Sequence, residues 1–236
     1  MGQNDNRIVT NHGKEHDEPL VEKPRQHGVT RKRILKEALM LFVTKGYAET
    51  GMEDLATCVG VRKASLYAHF RKKEDIFDAV YNAVMTEQFA QQRIMMNPPE
   101  GLTQTEVLQR YVRGMVEFWR GNMGQRFFYR YYVSPPAHAI GEVFQRASTF
   151  MQTYCDFGRD IVRRGLETGE FKQVDPDEAA HGIHNMLLGL HGMSWFLEIS
   201  ATSWGYSAGS DPIAWETEAC LTMMLNMLHG RTAPCP

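Results

Sequence analysis

Apolar residues recur at helical spacing from about residue 30 onward and nowhere alternate as a strand would require. Ile34, Leu35, Ala38, Leu39, Phe42 and Val43 share one face that Gly46 closes, with Thr30 placed as an N-cap and Val29 and Ile34 as a hydrophobic staple. Thr50-Gly51-Met52-Glu53 has the form of a capping box ahead of a short helix ending near Cys58. Gly60 breaks the chain, and a second short helix is predicted from about Arg62 to Phe70. Lys73-Glu74-Asp75 opens a long amphipathic helix with Ile76, Phe77, Val80, Tyr81, Val84 and Met85 on one side, its acidic pair suited to the positive end of the helix dipole. Beyond Pro98-Pro99, helices are predicted over 103–121, 125–133, 137–167, 176–200 and 212–229, broken at Pro135-Pro136, Gly169 and the Ser/Gly-rich stretch 200–211. Asp175-Pro176-Asp177-Glu178 combines an N-cap, Pro at N1 and Glu at N3, and Asp211-Pro212 repeats the first two. The predicted fold class is all-α.

Composition adds exclusions. Mean hydropathy is −0.40, and no apolar run approaches the roughly 18 residues a membrane span needs, so no membrane partner is expected. The first thirty residues are polar and lack the apolar stretch of a secretory signal. Cys58, Cys155, Cys220 and Cys235 are scattered and form neither a CxxC metal pair nor a disulfide framework, which points to a reducing cytoplasm. A net charge of −2 over 236 residues argues against nucleic acid until the charges are placed. Residues 25–73 hold eleven Lys/Arg against four Asp/Glu, a net +7, whereas 74–236 hold twelve against nineteen, a net −7. A phosphate backbone responds to the local patch, because attraction fades within a Debye length of ~8–10 Å.

The basic patch coincides with a motif. Residues 52–71, MEDLATCVGVRKASLYAHFR, fit a helix-turn-helix: Ala56 lets two short helices approach, Gly60 turns the chain and Leu66 anchors the second helix. Arg62, Lys63, Ala64, Ser65, Tyr67 and His69 are left for its surface, where basic and hydroxyl groups can meet phosphates and base edges. The expected organisation is a polar tail over 1–28, a three-helix DNA-binding domain over 29–75 and a larger helical domain over 76–236.

Residues 30–76, with Ile34-Leu35, Phe42, Gly46, Thr50, Leu55-Ala56, Gly60-Val61, Leu66-Tyr67, His69-Phe70 and Lys73-Glu74, resemble the N-terminal domain of the tetracycline-repressor (TetR) family. The resemblance implies that the short helix from Arg62 reads DNA: Lys63, Ala64 and Ser65 near base edges, Tyr67 and His69 on phosphates, Thr50 and Lys73 clamping the backbone. One position departs from the pattern. The family usually has Ser after Gly-Val, and Arg62 stands there, unable to cap as Ser does but offering a fork suited to guanine or phosphate. Either Arg62 or Lys63 can then read a base.

The resemblance also implies a cytoplasmic, ligand-responsive transcriptional repressor, with double-stranded, palindromic operator DNA, a small-molecule effector and a second copy of itself as partners. The last two helices are the expected dimer surface, through Ile183, Leu187, Leu190 and Leu197 on one and Ile213, Cys220, Met223, Met224 and Met227 on the other. Rings and methionines concentrated over 111–155 suit an apolar cavity for a hydrophobic or aromatic effector. Trp119, Tyr132, Tyr154, Met186 and Trp195 are the candidate walls, and His138, Arg146 and Arg159 the candidates for orienting a ligand. His181, His184 and His191 share a helix, but no cysteine or carboxylate joins them at ligand spacing, so neither a metal nor another cofactor is expected. No Gly-rich phosphate loop, GxSxG or HExxH supports an enzyme. The alternatives are an adaptor of the same fold acting through protein contacts, and a metal-, haem- or redox-responsive repressor.

Overall fold

The computed structural model describes residues 27–200, 205–207 and 209–230. Among these every regular element is helical: α1 (His27–Thr44), α2 (Met52–Val59), α3 (Lys63–His69), α4 (Lys73–Met95), α5 (Gln104–Trp119), α6 (Met123–Val133), α7 (Ile140–Glu167), α8 (Pro176–Ser200) and α9 (Pro212–His229), with one 3₁₀ turn at Ala137–Ala139. The bounds predicted for α8 and α9 agree with those observed, because an Asp-Pro pair marks each start. Asp211 caps α9 by accepting from the Ala214 N–H at 3.0 Å, and Thr103 caps α5 within a capping box completed by Glu106. A carboxylate from elsewhere in the chain adds to that second cap, since Glu170 accepts from the Gln104 and Thr105 N–H groups at 2.7 and 2.8 Å.

Two predicted caps are corrected. Helix α1 begins at His27, so Thr30 lies inside it and is no N-cap. Helix α2 is capped at Gly51, whose N–H donates to Asp54 at 2.8 Å, and not by Thr50 with Glu53. Thr50 is 0% exposed and turns its hydroxyl inward to the Gly46 carbonyl at 2.6 Å. The expected 1–28 tail and Cys235 fall largely or wholly outside the described residues.

A single apolar core runs from Ile34, Phe42, Leu55 and Leu66 through Ile76 and Phe77 of α4 into the larger helical body. Helices α5, α7 and α8 pack together there, and α9 closes on α5 and α8. Arg113–Glu218 and Arg120–Asp211 ion pairs fasten α5 to α9 across the surface.

The nine residues expected at a dimer surface do not form one free face. Ile183, Leu187, Leu190 and Leu197 are buried in the core of this one chain, as are Ile213 and Met224. Cys220 and Met227 are half-buried, and only Met223 is exposed. Because α8 and α9 carry apolar residues around most of their circumference, periodicity could not tell which side faces the core. The solvent side of these helices carries Phe196, Trp215 at 62% exposure and Met223 at 60%.

Candidate nucleic-acid interface and effector cavity

Helix α2 ends on Gly60 in the left-handed region, φ +71°. The Gly60 N–H donates to Thr57 and the Val61 N–H to Ala56, closing a Schellman motif that sets the angle at which α3 leaves. A side chain at Gly60 would be strained by the backbone and would meet the Arg33 guanidinium. Helix α3 has one buried side chain, Leu66, and packs on α2. Everything else on it is presented outward: Arg62, Lys63, Ala64, Ser65, Tyr67 and Ala68 are exposed and His69 is half-buried. Arg62 occupies the N-cap without a side-chain capping bond, as its chemistry predicts. Its carbonyl instead accepts from Ser65 and Leu66, leaving the guanidinium on the surface. Lys63 forms an exposed pair with Glu53 at 3.1 Å.

Thr50 and Lys73 are placed differently from the expected backbone clamps. The Thr50 hydroxyl is committed inside, as described. Lys73 reaches back to the α1–α2 turn, donating to the Tyr47 carbonyl at 2.7 Å with its ammonium 4.2 Å from the Tyr47 ring centroid. Both residues shape the turn on which α2 is mounted.

The larger body contains a cavity of about 30 Å³, room for a water or two. Of the expected walls it is lined by Trp119 and Tyr154, together with Gln88 of α4, Tyr111 and Met115 of α5, Phe128 of α6 and Phe150 of α7. His184 and His191 of α8 also line it. Trp119 and His191 stack with ring centroids 4.4 Å apart and planes 8° from parallel. Burial pushes the His191 pKa down to about 3, against a smaller opposing effect of a hydrogen bond to the Gln125 backbone. Burial, followed by the nearby His181, also lowers that of His184. Both rings are therefore neutral at physiological pH.

The other expected effector residues lie elsewhere. Trp195 borders a small neighbouring space with Arg126 and Glu198, and also an open cleft under the α1–α2 turn. Tyr132 stacks on Phe128, away from the cavity, and Met186 is half-buried and does not line it. His138 sits against Tyr47 and Phe77 with Asp78 at 3.7 Å. Arg146 is held by Glu142 and Asn82, and Arg159 by Asp156 and Asp177. These two guanidiniums are engaged in surface ion pairs because a buried cation without a carboxylate would be costly. Sequence reasoning passed over Gln88, although it continues the α4 stripe Tyr81, Val84 and Met85, where a polar side chain is buried by helical phase alone.

The three α8 histidines are not gathered. His181 bonds the Asp177 carbonyl at 2.7 Å, whereas the other two face the cavity. Among the described residues no group of three or more His, Cys, Asp or Glu is placed to hold a metal ion, and no helix is long and apolar enough to cross a membrane.

Residues 34–80 match the family model described as bacterial regulatory proteins, tetR family. The chain is 25% identical over 150 residues to the uncharacterized HTH-type transcriptional regulator YhgD of Bacillus subtilis (strain 168), covering 64% of this chain and 76% of that protein. It is 39% identical over 64 residues to the biofilm operon icaADBC HTH-type negative transcriptional regulator IcaR of Staphylococcus aureus (strain Newman), covering 24% of this chain and only 34% of IcaR. Its fold is similar to that of a TetR transcriptional regulator from Chloroflexus aurantiacus J-10-fl, with TM-score 0.63 and 18% identity over 86% of this chain and 96% of that one. It is also similar to AibR, solved with isovaleryl coenzyme A and operator DNA, with TM-score 0.60 and 19% identity over 85% and 98% of the two chains. These relatives are transcriptional regulators.

Proposed function

We propose that the chain is a homodimeric repressor of the TetR family, a reading supported by the family model matched over residues 34–80 and by the shared fold. On this reading, a small effector lodged in the cavity of the larger body releases it from its operator. The observation that carries the reading is the outward face of α3, where Arg62, Lys63, Ser65 and Tyr67 are all exposed on a helix whose one buried side chain is Leu66. A helix so mounted can enter a major groove with Arg62 or Lys63 on a base edge and Tyr67 and His69 toward phosphates. A twofold dimer would set two such helices ~34–36 Å apart for a palindromic site. Phe196, Trp215 and Met223, on the solvent side of α8 and α9, supply the dimer surface.

Release requires that effector favour a state in which the α3 helices no longer match the groove. Two helices that line the cavity also hold the DNA-binding end. Helix α4 offers Gln88 to the cavity and Lys73 to the Tyr47 carbonyl. Helix α6 offers Phe128 to the cavity and Tyr131 and Arg130 to the Phe42 and Val43 carbonyls. A coupling of ~1–3 kcal/mol along either route would lower operator affinity about 5- to 150-fold. AibR, similar in fold, was solved with both a ligand and operator DNA, which supports the sensor part of the reading.

The test is fluorescence anisotropy with genomic fragments, followed by sequencing of the bound DNA. A sequence-specific, salt-sensitive site is expected, lost in Arg62→Ala or Lys63→Ala. Binding no tighter than to random DNA, or unaffected by both variants, would refute the reading.

A further inference from the structure

The cavity has an electrostatic character that narrows what it can accept. Among the described residues, eight buried side-chain polar atoms lack a hydrogen-bond partner, and four of them belong to residues lining this one small space. They are the Gln88 Oε1, the Tyr111 hydroxyl, the Trp119 Nε1 and the His184 Nε2. Gln88 and Tyr111 are each 2% exposed and Trp119 is 6% exposed, so bulk solvent does not satisfy them. A buried polar group left unmade costs far more than a made hydrogen bond gains, so such a concentration marks a place where something polar sits, a water or two in the small cavity or a ligand group that displaces them. The set mixes an acceptor on Gln88, a donor on Trp119 and a hydroxyl that can do either.

No Lys, Arg, Asp or Glu lines the cavity. The guanidinium of Arg126 borders the small adjoining space behind Trp119 and His191, but Glu198 holds it in an ion pair. The two histidines of the lining are kept neutral by burial and supply no counter-charge. A carboxylate or an ammonium placed there would lose its hydration with no opposite charge to replace it.

We infer that the cavity binds an uncharged, planar molecule carrying both a hydrogen-bond donor and an acceptor, an aromatic amide or a compound of that chemistry, and discriminates against its anionic and cationic counterparts. The ring walls suit a flat ligand, and the mixed polar set suits a group such as a carboxamide, which donates to Gln88 and accepts from Trp119. Room for more than water requires Met115 and Met151 of the lining to repack, which their unbranched side chains allow at the expense of the 3.9 Å hydrogen bond from the Tyr154 hydroxyl to the Met115 sulfur. The inference rests on reading this cavity as the effector site and specifies its ligand class.

Isothermal titration of the full chain at pH 7.5, without DNA, tests it on two matched series. These are indole-3-carboxamide, indole-3-carboxylate and tryptamine, and 4-hydroxybenzamide, 4-hydroxybenzoate and 4-hydroxybenzylamine. The carboxamide is expected to bind at least tenfold more tightly than the charged members of its series. Tyr111→Phe keeps the ring and removes one polar atom, Trp119→Phe removes the indole N–H together with part of the fused ring, and each should weaken the carboxamide about tenfold. A preference for a carboxylate or an amine, no binding by either carboxamide, or undiminished binding by both variants would overturn the inference. Operator binding is read separately: a chain that binds its operator yet prefers carboxylates refutes only the ligand class. A chain that binds carboxamides but no operator refutes only the repressor.

Discussion

The Tyr131 hydroxyl donates to the Phe42 carbonyl at 2.7 Å, seating α6 on the last turn of α1. Arg130 does the same for the next carbonyl, that of Val43, at 3.0 Å. The final carbonyls of a helix have no partner within it, so two side chains of the larger body complete the end of α1. Tyr131→Phe should leave a buried acceptor unpaired and cost ~1–3 kcal/mol in urea unfolding. An unchanged unfolding midpoint would show that the contact does not secure this joint.

On α3, Arg62→Ala and Lys63→Ala are expected to cut operator affinity by ~1–3 kcal/mol for whichever residue reads a base, while random DNA loses less. The Lys63–Glu53 pair in the free protein is exposed and worth little, so it does not hold Lys63 back from DNA. Gel shifts on operator and scrambled duplexes separate the two effects.

Lys73 has a different signature. Its ammonium donates to the Tyr47 carbonyl, so Lys73→Met should destabilise the chain by ~1.5–3 kcal/mol. Since the turn it braces carries α2 and α3 together, operator and random DNA should weaken alike. Thermal melting beside the same gel shifts checks this. A stable variant that loses only operator binding would contradict it.

The buried histidine gives a pH dependence. His191 has a folded pKa of about 3 against 6.5 for the free group, so the unfolded chain takes up its proton first. Its contribution is complete above pH 6.5 and declines as pH falls toward 3, costing ~2 kcal/mol by pH 5. His191→Phe keeps a ring against Trp119 and should flatten the fall. Urea melts at pH 7.5 and pH 5 on both proteins measure the difference.

The dimer surface can be separated from the core by paired substitutions. Met223→Glu or Trp215→Glu should yield a folded monomer in sedimentation velocity, because both side chains are solvent-facing in the single chain. Leu190→Ala should instead cost ~2–5 kcal/mol of stability through the cavity it leaves in the core. A dimer unaffected by either glutamate would place the interface elsewhere.

Much of this architecture is legible in the sequence because local chemistry fixes it. Gly60 with Leu66 specifies the helix-turn-helix, and Asp175-Pro176 and Asp211-Pro212 mark two helix starts. What differs depends on which of several available partners, near or far, a side chain takes. Thr50-x-x-Glu53 satisfies the capping pattern, yet Gly46 draws the Thr50 hydroxyl inward and Asp54 takes over the cap. The apolar stripe from Ile183 to Leu197 gave no indication of which side of α8 meets α7 and which meets solvent. Trp119 and Tyr154 were found as cavity walls because large rings are conspicuous. Gln88, His184 and His191 required knowing which faces converge.

The small volume of the cavity also bears on time. At about 30 Å³ it cannot admit an effector-sized molecule by diffusion alone. For any ligand that lodges there, the observed rate of uptake at high concentration levels off at the rate at which Met115, Met151 and the surrounding rings part. The speed of such a response is then a property of the protein's own breathing, and raising the dose beyond that point shortens no delay.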